Sequence, residues 1–383
     1  MKVFVVPSWY PIEDRPNRGI FFKEQAEALQ KFGHEVIVLV PELVSLREMN
    51  KKTFNGIHKE KINGLTTYKL FGYNILPKLK QGRRILFDRL VRRLFERAID
   101  EEGTPDIIHA HSVFWAGTSA ALIAKKYQIP FVITEHATAY SRNLIEEYQV
   151  PYIKRTFENA ARVIAVGKGL KKDLQAYTSA DKIKVIPNIV DTSKFYLPPN
   201  AGEKNKFRFF SLALLTHKKG MDILIKAFAN KFKGKSNIEL VIGGDGEERA
   251  NLERLASDMG VKDQVIFLGE LNREQAVREM QQCDCFILAS RFETFGVVYI
   301  EALACGKPII GTRTGGPDGI INEKNGFLVD VEDVNGLEEA MENIKNHIDK
   351  FNPQEIREDC INRFSDKAVV QALTELYQEV VNQ

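Results

Sequence analysis

At 383 residues the chain is long enough for two domains of ordinary size, each burying its own core. Its 44% hydrophobic and 27% charged content is that of a globular protein, and a formal charge of +3 is too small to point to nucleic acid. The four cysteines (Cys283, Cys285, Cys305 and Cys360) lack metal-ligand spacing, the N-terminal apolar run is too short for a signal peptide, and no stretch reaches membrane-spanning length. The expected setting is therefore a reducing, cytoplasmic one.

Lys2–Val6 predicts a first parallel strand, followed by a polar loop over 8–19, a helix over 20–32 closed by Gly33, and a second strand at Glu35–Val40. Ligands of such sheets bind at the carboxyl ends of the strands, which makes the loop Ser8–Gly19 a wall of the expected site. That loop has no Gly-rich dinucleotide fingerprint, so a nicotinamide cofactor is not expected. Residues 51–75 hold short strand-like pieces with turn signals at Asn55-Gly56 and Asn63-Gly64. A basic helix over Arg83–Ile99 comes next, with Ile85, Leu86, Leu90 and Leu94 as an apolar stripe among Arg83, Arg84, Arg89, Arg92, Arg93 and Arg97. It reads foremost as a surface helix with a solvated basic face; attachment to anionic lipid is the alternative, to which Lys78 and Lys80 just ahead of it add a little weight.

Asp106–Ala110 and Phe131–Thr134 are further strands, which puts His109, His111 and His136 near carboxyl ends. His109 reads as a satisfied structural residue. Arg162–Val166 and Lys184–Ile186 complete the first half, and the polar, Pro-rich stretch 196–206 marks a change of domain. The alternation then repeats: strand Phe207–Ala213, helix 220–232, strand Glu239–Ile242, helix 247–259, strand Gln264–Leu268, helix 272–281, strand Cys285–Ala289. Thr314–Ile321 reads as a Gly-rich turn into another helix, Gly326–Val329 as a closing strand, and 365–381 as a last helix with Ser365 as its N-cap.

The stretch 290–312 carries the most chemistry. It predicts an apolar helix over 295–305 closed by Gly306, with Glu293 on the turn before it and Glu301 about two turns inside. The N–H groups of Thr294, Phe295, Gly296 and Val297 are donors at a helix N-terminus, an anion site, and Gly296 leaves room for a ligand to approach. A carboxylate at Glu301 needs a partner, either the vicinal hydroxyls of a sugar or a structural arginine.

Glu293-x7-Glu301, with TFG after the first acid and ALACGKPII after the second, resembles the signature of retaining glycosyltransferase family 4, whose members have the GT-B fold. The likeness spans nearly the whole chain and is specific mainly over 184–330; IPNIVD resembles the interdomain link, with Ile189 in place of its glycine. It implies an α/β architecture of two Rossmann-like domains facing across a deep cleft. Residues 1–188 would bind acceptor, 189–364 donor, and about 365–383 would cross back to the first domain as a helix. TEHATAY resembles the segment whose histidine, here His136, faces the donor sugar, and Lys219 stands where the family holds the diphosphate. Five positions earlier, where the family places an arginine, this chain has Leu214; Lys218, Arg15, Arg18 or the helix N-terminus would have to substitute.

The resemblance thus implies Glu293, His136 and Lys219 as catalytic residues, and Gly19, Leu271, Thr294, Phe295, Gly296, Val297 and Glu301 as donor-binding ones. Leu271 would read the base through its backbone, which leaves UDP and GDP undistinguished, and IGGDGEER reads chiefly as a tight turn. No D-x-D sequence occurs, and no metal or other cofactor is expected. The activity implied is transfer of a sugar, with retention, from a UDP- or GDP-sugar to a hydroxyl of a glycan or lipid-linked oligosaccharide in cell-surface polysaccharide synthesis. The pattern PSWYPIEDRPNRGIFFKEQ, similar to bacterial envelope-polysaccharide members, places the work at the inner membrane face. A nucleotide-sugar epimerase of the same fold and a non-catalytic two-domain sugar-binding protein are the competing readings.

Overall fold

The computed structural model describes residues 1–12, 18–46, 56–198 and 205–382, so Arg15 and Asn55 lie outside the described residues. Packing divides the chain into two units. The first comprises Met1–Val166, Leu170–Ile189 and Val369–Gln383; the second comprises Gly167–Gly169 and Val190–Ala368.

In the first unit the elements run β1 (Lys2–Pro7), α1 (Ile20–Lys31), β2 (Glu35–Val44), β3 (Ile57–Ile62), β4 (Leu65–Tyr73), α2 (Gly82–Glu102), β5 (Ile107–His111), α3 (Thr118–Tyr127), β6 (Phe131–Glu135), α4 (Val150–Asn159), β7 (Arg162–Ala165), α5 (Lys168–Leu174) and β8 (Ile183–Val185). They form an eight-stranded sheet of order β3-β4-β2-β1-β5-β6-β7-β8. Every pairing is parallel except that of β3 with β4 at the edge. The β3–β4 hairpin turns through Asn63 (φ 52°) and Gly64 (φ 84°), the left-handed pair that suits a two-residue hairpin. β1, β5 and β6 are buried almost throughout, which is why their sequences run apolar without alternation.

The apolar stripe of α2 is spent inside this unit. Leu86, Leu90 and Leu94, joined by Phe87, Val91 and Phe95, are buried, and the helix packs on β2 and β4. The stripe is therefore not a lipid-facing surface, because covering the sheet already removes it from water.

The second unit runs β9 (Phe207–Leu212), α6 (Met221–Phe232), β10 (Ile238–Gly243), α7 (Arg249–Asp258), β11 (Val265–Gly269), α8 (Arg273–Gln282), β12 (Cys285–Leu288), α9 (Val297–Ala304), β13 (Ile309–Thr312), β14 (Gly326–Val329), α10 (Val334–Asn346) and α11 (Pro353–Phe364). Its six strands are parallel in the order β11-β10-β9-β12-β13-β14. The stretch 314–321, expected to enter a helix, makes only a short turn at Pro317–Gly319 before β14. The last helix, α12 (Asp366–Val381), begins with Ser365 Oγ accepting the Ala368 N–H at 3.3 Å. Its Val369, Val370, Leu373, Leu376, Tyr377 and Val380 lie in the first unit's core with Val3, Val36, Ile107 and Ile164. Among the described residues no helix is long and apolar enough to cross a membrane.

Candidate active site

In an open parallel sheet the ligand crevice forms where the strand order reverses, beyond the carboxyl ends. In the second unit that reversal lies between β9 and β12. Lys219 follows β9, Glu293 follows β12, and the structure brings them together: Lys219 Nζ lies 2.6 Å from Glu293 Oε2, although 74 residues separate them. Gly220 makes the approach possible. It sits at φ +62°, and a Cβ there would fall 1.9 Å from the Ala289 carbonyl oxygen.

The turn that carries Glu293 is longer than the sequence suggests. Gly296 takes a left-handed φ of 86°, so α9 starts at Val297 rather than at Phe295, and Glu301 stands just over one turn inside rather than two. The Thr294 N–H already donates to Glu293 Oε1 at 3.2 Å. Phe295 is buried, and the Tyr299 hydroxyl donates to the Leu288 carbonyl at 2.9 Å, tying α9 beneath the end of β12. Glu301 is only 2% exposed, and its partner is Arg273 at the start of α8. The structural arginine is thus what meets the buried charge in this unit, and Arg273 also stacks over Phe195 at 4.6 Å.

Arg291, which the sequence reading passed over, holds the two loops in place. It donates to both carboxylate oxygens of Asp222, at 2.8 and 2.9 Å, and to the His217 carbonyl at 2.7 Å; it also pairs with Glu332. Its own N–H donates to the Lys218 carbonyl at 2.8 Å. One guanidinium therefore fixes the Lys219 turn, the Glu293 turn and the loop after β14, with its side chain 9% exposed. Burial alone would raise the Asp222 carboxyl, but the hydrogen bonds and charge of Arg291 outweigh it and leave the group below the usual carboxylate range. The same bonds to Asp222 push the guanidinium's own pKa up.

Leu214, at the family's arginine position, is 63% exposed. Of its expected substitutes, Arg18 is engaged with Glu42 at 3.0 Å. Gly244 and Gly246 turn against the Ala213–Leu215 backbone, where the Leu215 N–H donates to the Asp245 carbonyl at 2.8 Å. Leu271 is half-buried after β11 and covers Gly243.

The first unit's strand ends hold a different group. The order reverses between β1 and β5, and His111, the last residue of β5, places Nδ1 3.2 Å from Nε2 of His136. His136 is buried against the rings of Phe21 and Phe22. His109 stacks on His111 with centroids 4.4 Å apart, and its nitrogens meet the Tyr377 hydroxyl at 2.6 Å and Thr134 Oγ1 at 2.7 Å. Burial pushes His109 down to about 3, and burial with the neighbouring His109 does the same to His136; His111 lies well below its ordinary value. At neutral pH all three are uncharged imidazoles. Gly19 caps α1 at φ 74°, packed against Trp9 and Phe22.

Glu135 organises this end and was not singled out from the sequence. Wholly buried, it accepts from the Val113, His136 and Ala137 N–H groups at 2.9–3.0 Å and from the Tyr140 hydroxyl at 3.2 Å, fixing the loops after β5 and β6. Its signal was available: an acid at the end of the apolar run FVIT. Arg291 also left a weak trace, as a charge between a buried strand and an apolar helix, whereas nothing near Arg273 announces its role.

Comparison with known proteins agrees with this geometry. The family model described as Glycosyltransferase Family 4 matches residues 19–194, and that described as Glycosyl transferases group 1 matches 192–363. An uncharacterized glycosyltransferase of Methanocaldococcus jannaschii is 28% identical, over 86% of this chain and 85% of its own. The putative teichuronic acid biosynthesis glycosyltransferase TuaC of Bacillus subtilis is 26% identical, over 89% and 88%. The structure of Anabaena HepE in complex with UDP and glucose superposes with a TM-score of 0.76 at 20% identity, covering 99% of this chain and 100% of that one. With Glu293 and Lys219 at the sheet's switch point and matches that together run from 19 to 363, the chain belongs to the family 4-like glycosyltransferases of the GT-B fold.

Proposed function

We propose that this glycosyltransferase takes a sugar from a UDP- or GDP-sugar and passes it, with retention at the anomeric carbon and without a metal ion, to a hydroxyl of a glycan or lipid-linked oligosaccharide of the cell surface. The observation that carries the reading is the Lys219–Glu293 pair at the switch point, beside the N-terminus of α9. A departing diphosphate needs cationic and N–H stabilisation where its charge develops, and a sugar needs an acceptor for its hydroxyls. Lys219 and the amides leading into α9 serve the first need, Glu293 the second. Glu301, backed by Arg273, holds the ribose hydroxyls, and Leu271 reads the base through its backbone. His136 serves the sugar as a neutral hydrogen-bonding group, not as a proton shuttle, since its imidazole is pushed down to about 3.

Support for the donor class comes from the HepE structure in complex with UDP and glucose, and support for the acceptor class from the teichuronic acid relative. The test is a thermal-shift screen of UDP- and GDP-sugars, followed by transfer assays with EDTA present and NMR of the product anomer. A shift for one nucleotide-sugar, EDTA-resistant transfer and a retained anomer are expected. An inverted anomer or transfer abolished by EDTA would overturn the corresponding part.

A further inference from the structure

Each sheet ends in two outer strands, and an outer strand offers its unpaired N–H and carbonyl groups to any other strand that meets it. β3 carries the exposed Lys59 and Lys61, β8 is three residues long with Lys184 exposed, and Phe327 of β14 packs against the Phe351 ring at 6.1 Å. β11 has none of these guards. Its five residues, VIFLG, hold no charge, and Ile266 and Leu268 are each 37% exposed. Ile266 pairs with Val241 and so shares a sheet face with Val241, Glu239 and Arg208. Arg208 reaches Glu279 of α8, so α8 lies on this face, where it packs against β9 and leaves the rim open.

The backbone of β11 is phased as well. The Leu240 N–H donates to the Gln264 carbonyl at 2.9 Å, and Leu240 stands in register with Val265, so Gln264 and Ile266 turn their backbone groups toward β10. Val265 and Phe267 turn theirs outward. The Val265 N–H is met by the Val261 carbonyl at 3.0 Å, which leaves the Val265 carbonyl and both groups of Phe267 facing away from β10. An antiparallel partner must therefore meet odd-numbered residues of this edge. For a second copy of the same strand, a two-fold axis at Ile266 does so: the Phe267 N–H of each copy meets the Val265 carbonyl of the other. The same axis sets Lys262, exposed just before the strand, opposite Glu270, exposed just past it. An axis at Val265 or Phe267 is also in phase but sets Lys262 opposite Leu268 or Asn272, so charge pairing selects Ile266.

We propose that β11 is a docking edge for a second copy of this chain, paired antiparallel about a two-fold axis at Ile266, so that the six-stranded sheets of two molecules join into one. Ile266 and Leu268 of each copy close over the axis, and Lys262–Glu270 pairs flank them at both ends. A standard stable interface buries roughly 800 Å² from each partner. Five residues of edge and one row of side chains offer less, so the dimer is reversible, with a Kd on the order of 10 μM.

The test is sedimentation velocity of the full chain from about 1 to about 200 μM, where a concentration-dependent shift from monomer to dimer is expected. I266K/L268K is expected to weaken association at least about tenfold, with a melting temperature near wild type because both side chains are already part-exposed. K262E and E270K should each weaken it about fivefold by setting like charges face to face, and K262E/E270K together should restore it to within about twofold. Ile266→Cys with oxidised glutathione should give a disulfide-linked dimer, and Leu268→Cys should not. Residues on the axis form a non-hydrogen-bonded pair with Cα atoms about 4.5 Å apart, within disulfide reach, and the four native cysteines are buried. A monomer at every concentration, or a dimer that I266K/L268K leaves intact, overturns the proposal. Failure of the charge swap to restore association, or cross-linking through Leu268→Cys in place of Ile266→Cys, overturns the axis and with it the self-pairing.

Discussion

The two units solve the same topological problem with opposite electrostatics. At the strand ends of the second, charges meet in pairs: Lys219 with Glu293, Arg291 with Asp222 and Glu332, Arg273 with Glu301. At the β1/β5 reversal of the first, three imidazoles stay neutral among aromatic rings, and the buried carboxylate of Glu135 is met by N–H and O–H donors. A site of charged pairs suits a multiply charged diphosphate, because pairs can be re-partitioned when a stronger anion arrives. A neutral site suits hydroxyls and repels no part of an uncharged acceptor. The difference teaches that a shared α/β frame leaves the chemistry to whichever side chains close the strands.

Acid should separate the units most strongly. His109 and His136, pushed down to about 3 in the fold, regain a pKa near 6.5 on unfolding. The unfolded chain therefore binds more protons below about pH 6.5, and stability present above that pH is lost as it falls. At pH 5 each histidine accounts for about 2 kcal/mol. The depressed carboxylate Asp222 acts in a lower window, below its unfolded value of 3.8. Both tryptophans, Trp9 and Trp115, belong to the first unit, so their fluorescence should report acid unfolding that begins between pH 6 and 5, roughly one proton per histidine below its ordinary pKa. A transition beginning only below about pH 4 would contradict the neutral-imidazole account.

Removing the clamp is next in size. Arg291→Gln should cost about 1–2 kcal/mol of second-unit stability, below the value for a fully buried pair because Asp222 and Glu332 are partly exposed. Denaturant titration checks it, and an unchanged midpoint would reduce Arg291 to a surface residue. Lys219→Ala and Glu293→Gln should each lower transfer at least about tenfold, about 1.4 kcal/mol of barrier. Because the two side chains touch, the double variant should lose less than the product of the single losses, and multiplicative losses in a kinetic double-mutant cycle would separate their roles. Smallest is Leu214→Arg, which should lower the donor KM about threefold by adding a cation to the charged side of the comparison.

Much of this could be read beforehand. Continuous apolar runs such as CFILA and EVIVLV give buried parallel strands, and Asn63-Gly64 gives the hairpin. The start of α9 was misread because the backbone of Gly296, not any side-chain pattern, sets it. The stripe on α2 was visible, but its destination was not, since a period of 3.6 marks an apolar face without saying whether protein or lipid covers it. Arg291 escaped because its partners are a carbonyl and acids remote in sequence, which no local spacing encodes. Glu135 escaped because three of its four donors are backbone or hydroxyl groups close by, and backbone N–H groups leave no side-chain pattern.

The last helix has a consequence for synthesis. Tyr377 stands under His109, and five more α12 side chains complete a core whose other members are drawn from residues 3–189. Vectorial folding from the ribosome favours the domain made first. Here the order inverts: the second unit's residues have all been made by Ala368, while the first waits for Val369–Gln383. A nascent first half holds an unfilled seat until α12 has been made, and a peptide spanning α12, added back to a chain shortened at Ala368, would be the natural key to it.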